Sequence, residues 1–257
     1  MDTLFVSDLH LSAERLDKIE LFRQFFNGPA RSARAVYILG DLFENFWTGN
    51  DERTPPAAEV INVLRDCCRH NQEIYLLRGN RDLMLDSGFC TLTGCKLLGD
   101  ENVIYIDGQA ILIMHGDLLC SRDIKYQLYR KFMETPIIRS MYLSLPYRLR
   151  IFLSRGMQPL FKKSAAGKLP EIIDVDQTTV EAFMTRHDTN ELIHGHTHKP
   201  GIHHFDLNGQ PARRIVLGDW YEQDSVLVCR DGERKLVRVS KYLKSTDYTD
   251  SQAQSPE

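Results

Sequence analysis

The chain predicts an α/β fold of two packed sheets with a helical insertion, on three observations. Short apolar runs alternate with helical periodicity up to about Met114. Beyond that point the punctuation becomes that of hairpins. Between Ser121 and Lys168 a basic stretch interrupts the pattern with eleven Lys and Arg against Asp123 and Glu134.

The apolar runs share an ending. Thr3-Leu4-Phe5-Val6 leads into Asp8 and His10, and Val36-Tyr37-Ile38-Leu39 into Gly40-Asp41. Ile74-Tyr75-Leu76-Leu77 opens into Gly79-Asn80-Arg81-Asp82, Ala110 to Met114 into His115-Gly116-Asp117, and Leu192-Ile193 into His194-Gly195-His196-Thr197-His198. A continuous apolar run bounded by glycine reads as a strand buried on both faces, and ligands collect beyond the C-terminal tips of such strands. Five runs ending in carboxylate, amide or imidazole groups predict one metal site, with Asp41 as its bridge.

Taken in order, the first strand is followed by a helix from Glu14 to Phe26, with Leu16, Ile19, Phe22 and Phe26 on its packed face. Asn27-Gly28-Pro29 stops it. Leu42 to Pro56, with Phe43, Phe46 and Trp47, reads as a loop that packs locally or walls a cleft. Ala57 to His70 carries Val60, Ile61, Leu64, Cys67 and Cys68 at helical spacing. Asp107-Gly108 then joins two strands, as do Asn208-Gly209 and Asp231-Gly232, and these antiparallel additions predict the second sheet. The core is expected over 1–120 and 169–243, the insertion over 121–168, and a polar, disordered tail over 244–257.

With 257 residues, 42% of them hydrophobic, the chain can bury a full-sized core. Its net charge of −3 conceals an uneven distribution, because the insertion is about +9 and the remainder about −12. In the insertion Ile137, Met141, Leu145, Leu149, Phe152 and Leu153 recur at three- or four-residue steps among arginines, with Pro146 starting a second helix. Such a stretch packs on the main domain as a helical pair, or serves as a cap or membrane-surface element. Acidity outside it, without an extended basic groove of stacking aromatics, argues against nucleic acid. Nothing marks an obligate protein partner.

Six cysteines lack Cys-x-x-Cys spacing and read as reduced thiols of the cytosol. The start has no signal-peptide pattern, and no run reaches the roughly 18 apolar residues of a spanning helix, so any membrane contact is expected to be peripheral.

The candidate metal ligands are Asp8, His10, Asp41, Asn80, His115, His196 and His198. Their oxygen and imidazole donors, without thiolate, suit Mn²⁺, Fe²⁺ or Zn²⁺ rather than a structural zinc site. Ions roughly 3.5 to 4 Å apart, sharing one carboxylate, favour hydrolysis of a phosphate ester or anhydride. His70, His187, His203 and His204 lack such context, and His194 is expected to pack or hydrogen-bond.

Asp8-x-His10, Gly40-Asp41, Gly79-Asn80-x-Asp82, His115 and Gly195-His196-x-His198 resemble, in order, the five blocks of the calcineurin-like metallophosphoesterases. The resemblance covers most of the chain. It implies a two-sheet sandwich flanked by helices, with one ion held by Asp8, His10, Asp41 and His198 and another by Asp41, Asn80, His115 and His196.

Arg81 stands where most of that family has a histidine thought to protonate the leaving oxygen. Arginine stays charged near neutral pH, so it can stabilise developing charge but not donate a proton. That favours an anhydride, whose phosphate leaves without protonation, over a simple monoester. Pairing with Asp82 or another acid is the alternative role.

Arg81, the stretch His115 to Cys120, the cationic insertion and Leu192 to Pro200 are similar to the branch that cleaves UDP-linked diacylated glucosamine in lipid A biosynthesis. That similarity implies two Mn²⁺ ions, water attack on the α-phosphorus, and UMP and 2,3-diacylglucosamine 1-phosphate as products. It also implies a cytoplasmic enzyme held peripherally on an anionic inner membrane, with the insertion as a lid for the acyl chains. Arg81, Asp41 and Asn80 are then catalytic, and Asn80, Arg81, Asp123, Lys168 and His196 contact substrate. The chain departs from the branch at Phe161 and Ala165, where Ser and Asn are expected, and at Arg122, where an acid is expected. Two other readings are a phosphoesterase with a different substrate and a non-catalytic scaffold on the same fold. The scaffold reading sits badly with a full set of seven ligands.

Overall fold

The computed structural model describes residues 1–44, 56–153 and 174–245. In chain order its strands are β1 (Thr3–Val6), β2 (Ala35–Ile38), β3 (Ile74–Leu76), β4 (Lys96–Leu97), β5 (Glu101–Ile106), β6 (Gln109–Met114), β7 (Glu191–His194), β8 (Gly201–Leu207), β9 (Gln210–Val216), β10 (Ser225–Arg230) and β11 (Glu233–Arg238). They form a six-stranded sheet in the order β11-β10-β1-β2-β3-β4 and a five-stranded sheet in the order β5-β6-β7-β9-β8.

Period-two alternation divides each strand between two environments. Phe5, Leu39, Leu77, Ile111, Ile113, Ile193, Ile215 and Leu227 belong to one buried cluster, to which both sheets contribute. Leu4, Val6, Val36 and Ile38 point the other way, into a cluster with Phe22 and Phe26 of α1 (Leu16–Asn27), Ala30 of α2 (Pro29–Ser32) and Val60 and Leu64 of α3 (Ala57–Arg69). On the second sheet Leu112, Met114 and Leu192 pack with Val180 and Met184 from the helix Gln177–Arg186. Both faces are covered, which is why the strands read as unbroken apolar runs. Each fully buried Phe, Leu, Ile or Val in these layers contributes about 1.5 to 3 kcal/mol of transfer free energy.

The first helix begins at Leu16 rather than Glu14, and Leu16 itself is 70% exposed, against expectation. Its buried face is Ile19, Phe22, Phe25 and Phe26. Phe25 is buried in the same cluster and packs edge-on against Trp220, whose ring centroid lies 5.6 Å away and comes from the far part of the chain. The three expected hairpins form as β5–β6, β8–β9 and β10–β11.

Register sets the level of the strand tips. Val6 pairs with Ile38 and Ile38 with Leu76, so the parallel strands β1, β2 and β3 end side by side. Ile113 pairs with Ile193, so β6 and β7 end together in the other sheet. The rims meet where the His115 Nδ1 lies 2.8 Å from the Leu39 carbonyl and the Gly195 amide donates to the His115 carbonyl at 2.8 Å.

In the basic stretch the chain forms helices Ile124–Glu134 and Pro136–Ser144, and after Pro146 residues 147–153 are helical. Ile124, Leu128, Phe132, Ile137, Met141 and Phe152 are all more than half exposed, leaving much of the apolar face of these helices uncovered. The expectations for Phe46, Trp47, Phe161, Ala165, Lys168 and most of the tail fall outside the described residues.

Candidate metal centre

Each predicted ligand sits in the first residues after a strand, and five of them sit there in the left-handed backbone region. Asp8, His10, Asp41, His196 and His198 have φ of 55°, 48°, 52°, 69° and 54°. Non-glycine residues pay for the left-handed region sterically, and such positions cluster at functional sites. The neighbouring glycines allow the approach. A Cβ on Gly40 would lie 2.6 Å from the Gly79 nitrogen and 2.7 Å from the His115 Nδ1, so the Gly-Asp and Gly-Asn loops pack backbone to backbone.

The seven side chains converge. His198 Nε2 lies 3.1 Å from Asp8 Oδ1 and 3.4 Å from His10 Nε2, which is itself 3.8 Å from Asp41 Oδ2. On the other side, Asn80 Oδ1 lies 3.1 Å from His115 Nε2 and 2.9 Å from His196 Nδ1. His115 Nε2 is 3.8 Å from Asp41 Oδ1. Asp41 therefore turns one oxygen to each group. Donor atoms of Asp8, His10 and His198, and of Asp8, Asp41 and His115, fall within 4.8 Å of one another, close enough to share an ion. The donor set of carboxylate, amide and imidazole fits a divalent metal centre.

The charges are those of a site built for cations. Burial would lower the imidazolium of His10, but Glu44, Asp41 and Asp8 push it up to about 9. His115 and His198 are raised too, against burial, chiefly by Asp41 for the first and Asp8 for the second. Burial raises the Asp8 carboxyl, but its bond to His198 and the surrounding imidazoles outweigh that and hold it far below the usual range. His196 is lowered by burial and by the neighbouring His115.

Outer partners aim the ligands, and sequence reading missed most of them. Glu44 Oε2 is 3.0 Å from His10 Nδ1, and Asp219 Oδ2 is 3.8 Å from His198 Nδ1. With the Leu39 carbonyl on His115 Nδ1, three imidazoles keep Nε2 toward the centre, the arrangement that orients metal-bound histidines. Glu44 and Asp219 belong to no motif; their one signal is acidity near a ligand in the fold. His194 is fully buried, with Nε2 3.2 Å from the Arg214 guanidinium, and burial followed by that charge lowers it to about 3, so it packs and hydrogen-bonds as expected.

Arg81 does not pair with Asp82. The Asp82 carboxylate is fully buried and accepts backbone amides instead, from Gly79 at 2.5 Å, Leu42 at 2.8 Å and Asp41 at 3.4 Å. Arg81 lends its amide to Asp41 Oδ1 at 2.7 Å, and its Nε is buried without a hydrogen-bond partner among the described residues. Asp123 caps the helix Ile124–Glu134 by accepting from the Tyr126 amide at 3.2 Å. Arg122 pairs with Asp176 at 2.7 Å, and Lys168 lies outside the described residues.

The described helices include none long and apolar enough to cross a membrane. Residues 1–200 match the family model for calcineurin-like phosphoesterases. Among curated proteins, the chain is 42% identical to the UDP-2,3-diacylglucosamine hydrolase of Aeromonas hydrophila, over 92% of this chain and 98% of that one. It is 43% identical to that of Pseudomonas putida strain W619, over 84% and 90%, and 42% identical to that of Vibrio vulnificus, over 90% and 96%. Among solved structures, YfcE, a phosphoesterase from E. coli, superposes with a TM-score of 0.48 at 17% identity, over 94% of each chain. By the match over residues 1–200 the chain belongs to the calcineurin-like phosphoesterases, and it is a metal-dependent hydrolase.

Proposed function

We propose that the chain hydrolyses the pyrophosphate of UDP-2,3-diacylglucosamine, with water adding at the α-phosphorus to give UMP and 2,3-diacylglucosamine 1-phosphate in lipid A biosynthesis. The observation that carries this reading is Arg81. It is a permanent cation on the loop that also carries Asn80, and its Nε has no partner among the described residues. A guanidinium there can stabilise charge on a departing phosphate but cannot protonate an alkoxide, which selects an anhydride. The shared name of the relatives above supports the UDP-sugar lipid as that anhydride.

Two divalent ions, Mn²⁺ on this reading with Fe²⁺ or Zn²⁺ suiting the same donors, would polarise the phosphoryl oxygens and acidify a water. Asp8, His10, Asp41 and His198 would hold one, and Asp41, Asn80, His115 and His196 the other. Asp82 fixes the Asp41 and Gly79 backbones, so the two loops keep their spacing while substrate binds. Asp123, Lys168 and His196 are assigned to substrate contacts together with Asn80 and Arg81.

Residues 121–168 act on this reading as a lid over the core formed by 1–120 and 169–243. Exposed Leu128, Phe132, Ile137 and Met141 would meet the acyl chains, and the cationic margins would rest on anionic lipid at the cytoplasmic face of the inner membrane. The test is Mn²⁺-dependent turnover of UDP-2,3-diacylglucosamine beside p-nitrophenyl phosphate. UMP release from the first with little turnover of the second supports the proposal. The reverse preference points to a phosphoesterase with another substrate.

A further inference from the structure

At the opposite end of the parallel strands from the metal centre, two thiols face one another. Cys68 lies in the last turns of α3 and Cys95 immediately before β4, and their Sγ atoms are 3.9 Å apart. The turn that brings them together is tight. Gly94 has φ +85°, and a Cβ on it would lie 2.8 Å from the Cys68 Cβ, so the backbone beside Cys95 is pressed against Cys68. Cys68 is partly exposed, whereas Cys95 is 5% exposed.

We propose that Cys68 and Cys95 form a reversible disulfide when the protein meets hydrogen peroxide, making this pair a modification site separate from the metal centre. The Cys68 thiolate attacks one peroxide oxygen and the O–O bond breaks, leaving a sulfenic acid on Cys68 and, after proton uptake, one water. The Cys95 sulfur then attacks the Cys68 sulfur. The S–O bond breaks, and the hydroxide leaves with the Cys95 proton as a second water. Two thiols are oxidised by two electrons in all, and one peroxide is reduced.

The environments of the two thiols fit these roles. Hydrogen bonding to Cys95 and the charge of Lys96 lower the Cys68 thiol in spite of burial, while the bond to Cys68 and burial hold Cys95 well above its ordinary value. The thiol of the partly exposed Cys68 is thus the better attacker and that of the buried Cys95 the resolver. Cys90 sits nearby on α4 (Ser87–Thr93), but burial pushes it up to about 11. The cross-link would close the segment from 68 to 95, which carries β3 and the loop of Asn80, Arg81 and Asp82. Bridging a loop of that length restricts the unfolded chain, and a rise in Tm on the order of 5 °C is expected.

The experiment is thiol titration and peptide mapping of the full chain after brief treatment with hydrogen peroxide. The six free thiols should fall to four, with a 68–95 bridge in the map and recovery on adding dithiothreitol. Cys90→Ser should still lose two thiols. Cys68→Ser should lose none, whereas Cys95→Ser should form no bridge and lose only the one thiol held as a sulfenic acid on Cys68; the Cys68 variant, altered at a partly exposed position, guards against a Cys95 variant that fails to fold. An unchanged thiol count, a bridge through Cys90, or a sulfinic acid on Cys68 without a bridge would overturn the proposal.

Discussion

The carboxylate of Asp82 lies beneath the backbone of Asp41, accepting its amide at 3.4 Å and the next one, from Leu42, at 2.8 Å. It also takes the Gly79 amide at 2.5 Å, so a single buried acid ties the tip of β2 to the tip of β3. Asp82→Asn keeps the shape but replaces an acceptor oxygen by an amide that faces other donors. Outer groups of this kind typically matter by about 10- to 100-fold in metal affinity or activity. We expect a loss in that range, read by metal titration beside turnover.

The division of the donors makes a sharper prediction. His198 touches only the Asp8 and His10 side of the centre, whereas Asp41 faces both sides. His198→Ala should therefore lower the metal content of the isolated protein by one ion per chain, and Asp41→Ala by both. Elemental analysis after dialysis decides it, and equal losses in the two variants would argue against Asp41 as a bridge.

How far the centre could be read without coordinates follows from the same residues. Asp8, Asp41, Asn80 and His115 announce themselves because strands covered on both faces appear as apolar runs, and a polar residue at the end of one stands out. Glu44 and Asp219 do not, because their roles depend on the distance to His10 and His198 across the fold. The helices Ser87–Thr93 and Gln177–Arg186 are equally silent to periodicity. The first is short and defined by its caps, Asp86 and Gly94. The second buries only Val180 and Met184, too narrow a stripe to stand out. Leu16 shows the opposite error, an apolar residue in phase with its helix that is nonetheless 70% exposed.

The helix Ile124–Glu134 is tied to the rest of the fold by a buried charge cluster. Arg130 is 3% exposed, and its guanidinium lies 2.8 Å from Asp117, which is 1% exposed; Asp100 and Glu134 follow at 3.1 and 3.2 Å. Tyr126 also donates to Asp117. Removing the arginine strands that carboxylate without its cation. Arg130→Met should cost about 3 to 5 kcal/mol in urea unfolding, well beyond an ordinary surface substitution.

At the chain start, Asp2 receives both arms of Arg230, at 2.5 and 2.7 Å, and the Tyr242 hydroxyl at 2.7 Å. Burial raises this carboxyl, but Arg230 and Tyr242 outweigh it and leave the folded value below the ordinary 3.8. The stabilisation is thus complete above the unfolded value near 4 and is lost as the pH falls through the lower, folded one. With Arg230 partly exposed, screening limits it to about 1 kcal/mol. Asp2→Asn should lower Tm at pH 7, and the difference from wild type should close as the pH is taken below 3.8.

The most direct measurement is hydrolysis of UDP-2,3-diacylglucosamine in oxygen-18 water with Mn²⁺, comparing wild type, Asp41→Ala and Arg81→Ala by mass spectrometry of both products. The heavy oxygen should appear in UMP alone, Asp41→Ala should release none, and Arg81→Ala should retain its metal while turning over slowly. Label in the sugar phosphate, or full activity without Asp41, would contradict attack on the α-phosphorus at a centre bridged by that residue.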